Sequence, residues 1–567
     1  MASQLQFATA GAATLAVLVA YLVIGIRGRA TDRREYYIAS QTVNADDYAT
    51  SSIGYALQMA AVFLFTYWAL LYGLGALWTA LFWLLGYVVL YACLPWFMTF
   101  HSDPFRTLHQ YVTQRHGGGR GLQRAAALAT ILGLGGAMMA EIDYTILAYA
   151  PLGLTPAMMP YVRFSFVAFG TIYIIISGFK AEIRTERWQL PIAYAGLFAG
   201  LIWVLPSVWA QANNISFLVL VGMMLFVVIG LAASKNLTSK ERAFPILQTY
   251  VLVAVAIGIA MTVWWTASSL PSGSHSTVLN MPAWRQFRAQ GVLGIFSLLL
   301  ANALWMPIDL STWQRIASVR SDSNRDLTLR RLRLGTKRIL FESPVSWVLG
   351  ACIGIAISGA GFLPAGADPG TGIGAFATHL ANGDSPLWPK STALVFYGAF
   401  LIGCISVMLS TVNGIVSAVT FTVEHDVFGH WQDSDRGSDA PTGLGRSRAT
   451  AITVVAAIAV LYELLILTMG SHLSAFLYSV YAAQLALVPC VFLALWGRRL
   501  CSKAAIASVS FGLVGAAGSF ILAVRVTDVA LAADVAVLPP ILSLFAAVAG
   551  YLMFYRPGHN LEGHPQG

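Results

Sequence analysis

Residues 407–414 read VMLSTVNG and lie within an otherwise apolar run from 397 to 423, YGAFLIGCISVMLSTVNGIVSAVTFTV. The run exceeds the roughly 20 residues that a helix needs to cross the hydrocarbon of a bilayer. Ser410, Thr411 and Asn413 sit near its middle. With no water in that region, each polar side chain must find a partner. What stands opposite these three residues therefore decides how the chain is read.

The surroundings repeat the pattern. Of 567 residues, 57% are hydrophobic and only 10% charged, against about 25% charged in soluble domains, and the mean hydropathy is +0.69. Apolar segments recur at 7–27, 48–75, 77–100, 122–150, 161–179, 188–210, 215–234, 246–267, 290–310, 339–363, 391–424, 449–469, 474–496, 504–525 and 534–554. The chain is expected to be an all-α polytopic membrane protein of about 15 transmembrane helices.

Cytoplasmic loops carry excess Lys and Arg. With the N-terminus outside, the inner loops hold all but five of the 34 basic residues, the exceptions being Arg163, Arg285, Arg288, Lys390 and Arg525. A missed span would swap the sides of every later loop, so the asymmetry supports an odd count, with the C-terminus cytoplasmic in a bacterial inner membrane. The net charge of +9 is dispersed over these loops, which assigns it to topology rather than to nucleic acid. The five cysteines fall in or beside spans without metal spacing. No phosphate-binding loop GxxxxGK[ST] and no HExxH occurs, so ATP-driven pumping and zinc hydrolysis are not expected, and the protein is expected not to be an enzyme.

Polar positions inside spans mark candidate sites. Glu141 and Asp143 are two residues apart, about 200° around a helix, and so face different neighbours. Pro307 and Asp309 sit in the inner half of the ninth span, where proline opens the backbone and where interrupted helices of transporters hold their ions. Ser410 and Thr411, about 100° apart, can address one interhelical point. Two readings of that pair stand: a hydroxyl ligand set for a small cation, or bonds back to the preceding turn and to neighbouring helices.

Six stretches in order carry a resemblance: REYYIAS at 34–40, TLHQYVTQRHGGGRGLQR at 107–124, SGFKAEIRTERWQ at 177–189, WQRIAS at 313–318, MLSTVNG at 408–414, and LVPCVFLALWGRR at 487–499 with the SKAAIASVSFGLVG that follows it. Together they resemble the sodium:solute symporter family. The resemblance implies a leucine-transporter-like fold of two inverted five-helix repeats, at 48–210 and 290–496. A peripheral N-terminal helix would occupy 1–27, two extra helices 211–268, and C-terminal helices with a short tail 497–567.

It further implies a sodium ion held by the carbonyls of Ala56, Met59 and Val407 and the hydroxyls of Ser410 and Thr411. Gln58, Tyr67, Trp68, Glu141, Trp305 and Asp309 would line the substrate cavity, with Trp305 closing it from the inside. Glu186 and Asp143 would serve gating or coupling. The chain departs from the family signature at Asn413 and Gly414, at Ala60, and at Glu186. The implied activity is sodium-coupled symport of a small organic solute by alternating access. The apolar stretch AAVFLFTYWAL at 60–70 favours an amino acid, amine or monocarboxylate over a sugar, whose hydroxyls need polar partners. Two rivals are a proton-coupled symporter, with Glu141, Asp143 or Asp309 titrating, and a membrane sensor that binds solute without moving it.

Overall fold

A backbone in hydrocarbon must satisfy its own hydrogen bonds, and a helix does so locally. The computed structural model describes residues 4–101, 106–211, 214–234, 259, 291–321, 324–364, 367–429, 443–469, 473–496, 500–526 and 535–555. Its helices, in chain order, are α1 (Gln4–Arg27), α2 (Arg33–Ile38), α3 (Ala45–Ala56), α4 (Met59–Tyr72), α5 (Trp78–His101), α6 (Leu108–Arg115), α7 (Arg120–Leu147), α8 (Met159–Ser177), α9 (Phe179–Gln211), α10 (Asn214–Ser234), α11 (Gly291–Ile308), α12 (Leu310–Ser318), α13 (Arg325–Gly359), α14 (Gly372–Asn382), α15 (Lys390–Thr422), α16 (Gly443–Met469), α17 (Leu473–Leu485), α18 (Val488–Trp496), α19 (Ser502–Arg525) and α20 (Pro539–Phe554).

Among the described residues, eleven helices are long and apolar enough to cross a membrane, and a twelfth span is the pair α3 and α4, bent by 53°. Helices α11 and α20 occupy two further expected positions. The expected span at 246–267 lies outside the described residues. The protein is thus an all-α polytopic membrane protein. Leu5, Leu467, Val514 and Met553, on α1, α16, α19 and α20, are largely exposed, as suits side chains facing lipid acyl chains.

Two spans are interrupted. Between α3 and α4, Leu57 (φ −77°, ψ 80°) and Gln58 (φ −92°, ψ 146°) leave the helical region. Between α11 and α12, Asp309 (φ −75°, ψ 118°) does the same. The breaks fall on the first helix of each expected repeat.

Small residues let the buried helices approach closely, since packing rather than hydrophobicity drives association in lipid. Between α9 and α15, a methyl built on Gly196 would lie 2.4 Å from the carbonyl oxygen of Ala399 and 2.5 Å from the Cα of Gly403. On α13, Gly350 and Gly354 likewise abut the carbonyls of Val62 and Thr66 of α4. Replacement of Gly196 by leucine should cost about 1–3 kcal/mol through overpacking, read as a lower melting temperature in detergent.

Helix α14 crosses no membrane and carries His379, which stacks on Phe362 with ring centroids 3.7 Å apart and lies 3.3 Å from the Ser207 hydroxyl. Burial pulls its pKa down from 6.5 to about 4, against the opposing pull of Asp384. The unfolded chain therefore takes up a proton that the native imidazole refuses between those two values, and stability falls as pH drops through that window. His379→Gln should flatten this part of the melting temperature's pH dependence and leave the neutral range unchanged in slope.

Candidate functional site

The stretch between Tyr55 and Ala60 contains neither glycine nor proline, so its local sequence does not dictate the break. Tertiary partners hold it. The Glu141 carboxylate, from α7, accepts the N–H groups of Met59 at 2.7 Å and Ala60 at 3.0 Å. It thereby caps α4 at the positive end of the helix. The Trp347 indole donates to the Ala56 carbonyl at 2.8 Å, and the Tyr481 hydroxyl donates to the Gln58 side chain at 3.1 Å.

Asp309 supports the second break. One carboxylate oxygen accepts the backbone N–H and the hydroxyl of Thr312, both at 2.8 Å, capping α12. The other accepts the Tyr55 hydroxyl at 3.1 Å. One side chain thus joins the two interruptions. Beside it, Trp305 stacks on Tyr55 and Trp83, Trp83 stacks on Trp347 at 4.1 Å, and the Trp305 indole donates to Gln484. This aromatic pile packs beside the two breaks.

Ser410 and Thr411, on α15, both face α3, but through different partners. Thr411 donates to the Tyr55 carbonyl at 3.3 Å and to the Val407 carbonyl at 3.4 Å. Ser410 bonds the Glu186 carboxylate at 2.6 and 2.7 Å. Gly54 makes room for that contact: a methyl there would sit 2.1 Å from a Glu186 oxygen and 2.7 Å from the Ser410 hydroxyl. The Ala56 carbonyl, expected to face a cation, instead accepts both Trp347 and the Gln58 N–H at 3.0 Å. Tyr55 presents the carbonyl opposite Thr411, while Met59 enters the centre through the N–H given to Glu141.

One turn away, Arg315 is ion-paired with Glu182, both fully buried, and its guanidinium lies 4.4 Å from the centre of the Tyr55 ring. Gly414 explains itself here. A methyl at that position would meet the Arg315 guanidinium at 2.8 Å and the Glu182 carboxylate at 3.2 Å. Asn413 donates to Tyr173 and to the Leu409 carbonyl. Sequence reasoning missed Gly54, Tyr55, Glu182 and Arg315; the only signal was the run of polar residues in 177–189 and 313–318.

Of the expected cavity residues, Trp68 lines a pocket with Phe65, Asn302, Trp347, Tyr478 and Tyr481. Its volume is about 20 Å³, room for about one water. Gln58, Glu141, Trp305 and Asp309 do not line it; they surround the two breaks. Tyr67 is half-buried against Phe63 and is not part of the pocket wall. Asp143 faces away from Glu141: it pairs with Arg163 at 2.6 Å and accepts the Tyr462 hydroxyl, while Arg163 also reaches Glu463 at 3.1 Å.

The opposite end of the bundle is tied by Arg187 to Asp47 at 2.5 Å, Arg338 to Asp46 at 2.6 Å and Glu342 at 2.9 Å, and Arg33 to Glu424 at 2.7 Å. Asp46 and Asp47 open α3, so its free end is held by α9 and α13.

Asp309→Ala removes both a helix cap and the acceptor for Tyr55. A cap alone contributes about 0.5–2 kcal/mol, and a buried tyrosine left without a partner adds about 1–3 kcal/mol. Asp309→Asn keeps one acceptor for the α12 cap and turns an amide donor toward the Tyr55 hydroxyl, which can accept it, and should lie closer to the parent in thermal unfolding.

No family model and no curated protein sequence matches the chain. Among solved structures it is similar to a Na+-coupled sialic acid symporter in a substrate-bound outward-open state, with a TM-score of 0.60 and 13% identity over 97% of this chain and 98% of that one. A manganese transporter from Eremococcus coleocola aligns over 90% of this chain and 94% of that one, at 12% identity and a TM-score of 0.38. The first likeness runs nearly the full length of both chains, and it shows that this all-helical membrane protein shares its fold with a transporter.

Proposed function

We propose that the protein is a secondary active transporter that couples sodium to the movement of a small organic solute by alternating access. The observation that carries this reading is the charge count beside the first break. Glu182 and Glu186 are both fully buried, and Arg315 is paired with Glu182. Glu186 has the Ser410 hydroxyl as its hydrogen-bond partner and no ion pair among the described residues. A buried charge left unpaired is costly, so this carboxylate calls for a mobile cation.

Oxygen ligands for sodium stand next to it. Ser410, Thr411 and the Tyr55 and Val407 carbonyls converge where α3 ends, and a hard cation takes such donors. Tyr55 replaces Ala56 in this set. Sodium bound there would tie α3 to α15 and α9, on the side of the break where the ion pairs of Asp46 and Asp47 hold α3 in place. Release of those pairs would open the inner side, and the Asp143–Arg163–Glu463 cluster would serve the outer one. The N-terminus outside and the C-terminus in the cytoplasm complete this assignment. One charge crossing 100 mV is worth about 2.3 kcal/mol, which would support about 40-fold accumulation of a neutral solute.

The proton rival rests on the same unpaired Glu186 and is separated by experiment. Melting temperature in sodium chloride should exceed that in potassium chloride of equal ionic strength, by an amount that grows with concentration and corresponds to about 2.7 kcal/mol at a hundredfold excess over the dissociation constant. Ser410→Ala, Thr411→Ala and Glu186→Gln should each lose that difference. A sodium-independent response that follows pH and vanishes in Glu186→Gln would assign the coupling to protons instead.

A further inference from the structure

We propose that the solute is a small organic cation, an amine or quaternary ammonium group, held between the Glu141 carboxylate and the aromatic walls of the pocket above the first break. The proposal rests on the transport reading and narrows its solute to one class.

The pocket walls come first. Phe65, Trp68, Trp347, Tyr478 and Tyr481 dominate them, and Asn302 is the one amide. Aromatic faces present negative charge and attract ammonium groups strongly once water is removed. A hexose would bring several hydroxyls to a wall with few donors or acceptors, leaving them unpaired.

Charge decides between the remaining classes. A solute carboxylate would be received best at the N-terminus of α4, where free N–H groups and the helix dipole favour an anion. That place is filled: Met59 and Ala60 give their N–H groups to Glu141. Nor does a basic side chain line the pocket, and the buried arginines are committed elsewhere, Arg163 to Asp143 and Glu463, Arg315 to Glu182, and Arg338 to Asp46 and Glu342. An anionic solute would meet an acidic group with no basic side chain in the pocket lining to offset it.

Glu141 is also more than a cap requires. A neutral Ser, Thr or Asn side chain satisfies a helix N-terminus, whereas this carboxylate arrives from another helix and has no basic partner among the described residues. Partial charge at the helix end compensates it only in part. Helix α4, whose first N–H groups it holds, continues directly into the pocket wall at Ala61, Leu64, Phe65 and Trp68, so the carboxyl group bonded to Ala60 stands next to the lining residue Ala61 without itself lining the pocket. Tyr481 joins the two by lining the pocket and bonding Gln58 in the break. The cavity, at about 20 Å³, is smaller than such a solute, and its walls must part as the solute enters.

The test uses the full-length purified protein, first in sodium or potassium chloride alone and then with choline, benzylamine, propionate, proline or glucose. Melting temperature and tryptophan fluorescence are the readouts. Choline or benzylamine should register at least tenfold more tightly than the other three. Glu141→Gln, which keeps an oxygen acceptor for the N–H groups of α4 and so leaves Tyr55 in place, should weaken that response at least tenfold while keeping the sodium-dependent shift of the site at Tyr55, Val407, Ser410 and Thr411. Trp68→Leu, which leaves the cap in place, should weaken it as well and decides the matter should Glu141→Gln fail to fold.

Tighter response to propionate, proline or glucose, silence toward both cations, or an unchanged cation response in either variant would overturn the proposal. The two readings fail separately. A sodium shift without a cation response removes this inference and leaves the transporter, whereas a cation response without a sodium shift removes sodium coupling and leaves the solute class.

Discussion

The Glu141 carboxylate, bonded to the backbone of Met59 and Ala60, holds open the interruption around which the centre of the protein is arranged. An unbroken helix through residues 45–72 would satisfy its own N–H groups and would need no acceptor from α7. With the break in place, four donors at the start of α4 require partners, and a carboxylate aimed along the helix dipole answers two of them. The freed Ala56 carbonyl then turns to Trp347, and Tyr55 is brought to Asp309. Loss of that one acceptor would favour reclosure of the helix and displace both Tyr55 and the Gln58 side chain.

The two interruptions are mechanically joined. Tyr55, the penultimate residue of α3, is bonded to the cap of α12, and Trp305 of α11 lies on its ring. The half-helices that meet at the centre therefore cannot move independently. Beyond them, Asp46 and Asp47 anchor the far end of α3 to Arg338 and Arg187. Such buried or half-buried pairs contribute little net stability compared with apolar packing, but breaking one partner away is costly. They fix the far end of α3 against α9 and α13.

Glu141 and Glu186 divide the labour of charge at this centre. The first lies against the N–H groups that open α4, and the second lies against Ser410 on the opposite side of the break. Both arrive from helices that run intact, and neither is matched by an arginine of its own. On the reading proposed above, each would favour a positively charged ligand. Gly54 and Gly414, which make room for Glu186 and for the Arg315–Glu182 pair, are as much part of this arrangement as the charged groups.

Much of this was legible in the chain. Hydropathy set the class and nearly all the spans, because a bilayer imposes one length and one composition on whatever crosses it. Spacing placed Glu141 and Asp143 on different faces, and Ser410 and Thr411 were marked by their cost in hydrocarbon. The sequence by itself could not reveal the break at Leu57 and Gln58, since no proline or glycine marks it, nor the exchange of Ala56 for Tyr55 opposite Thr411, nor the use of Gly414. These depend on which side chain of one helix meets which backbone group of another. Composition and period report how a segment meets its solvent; only the packed bundle brings a carboxylate of α7 to the backbone of α4, and that contact decides where the helix stops.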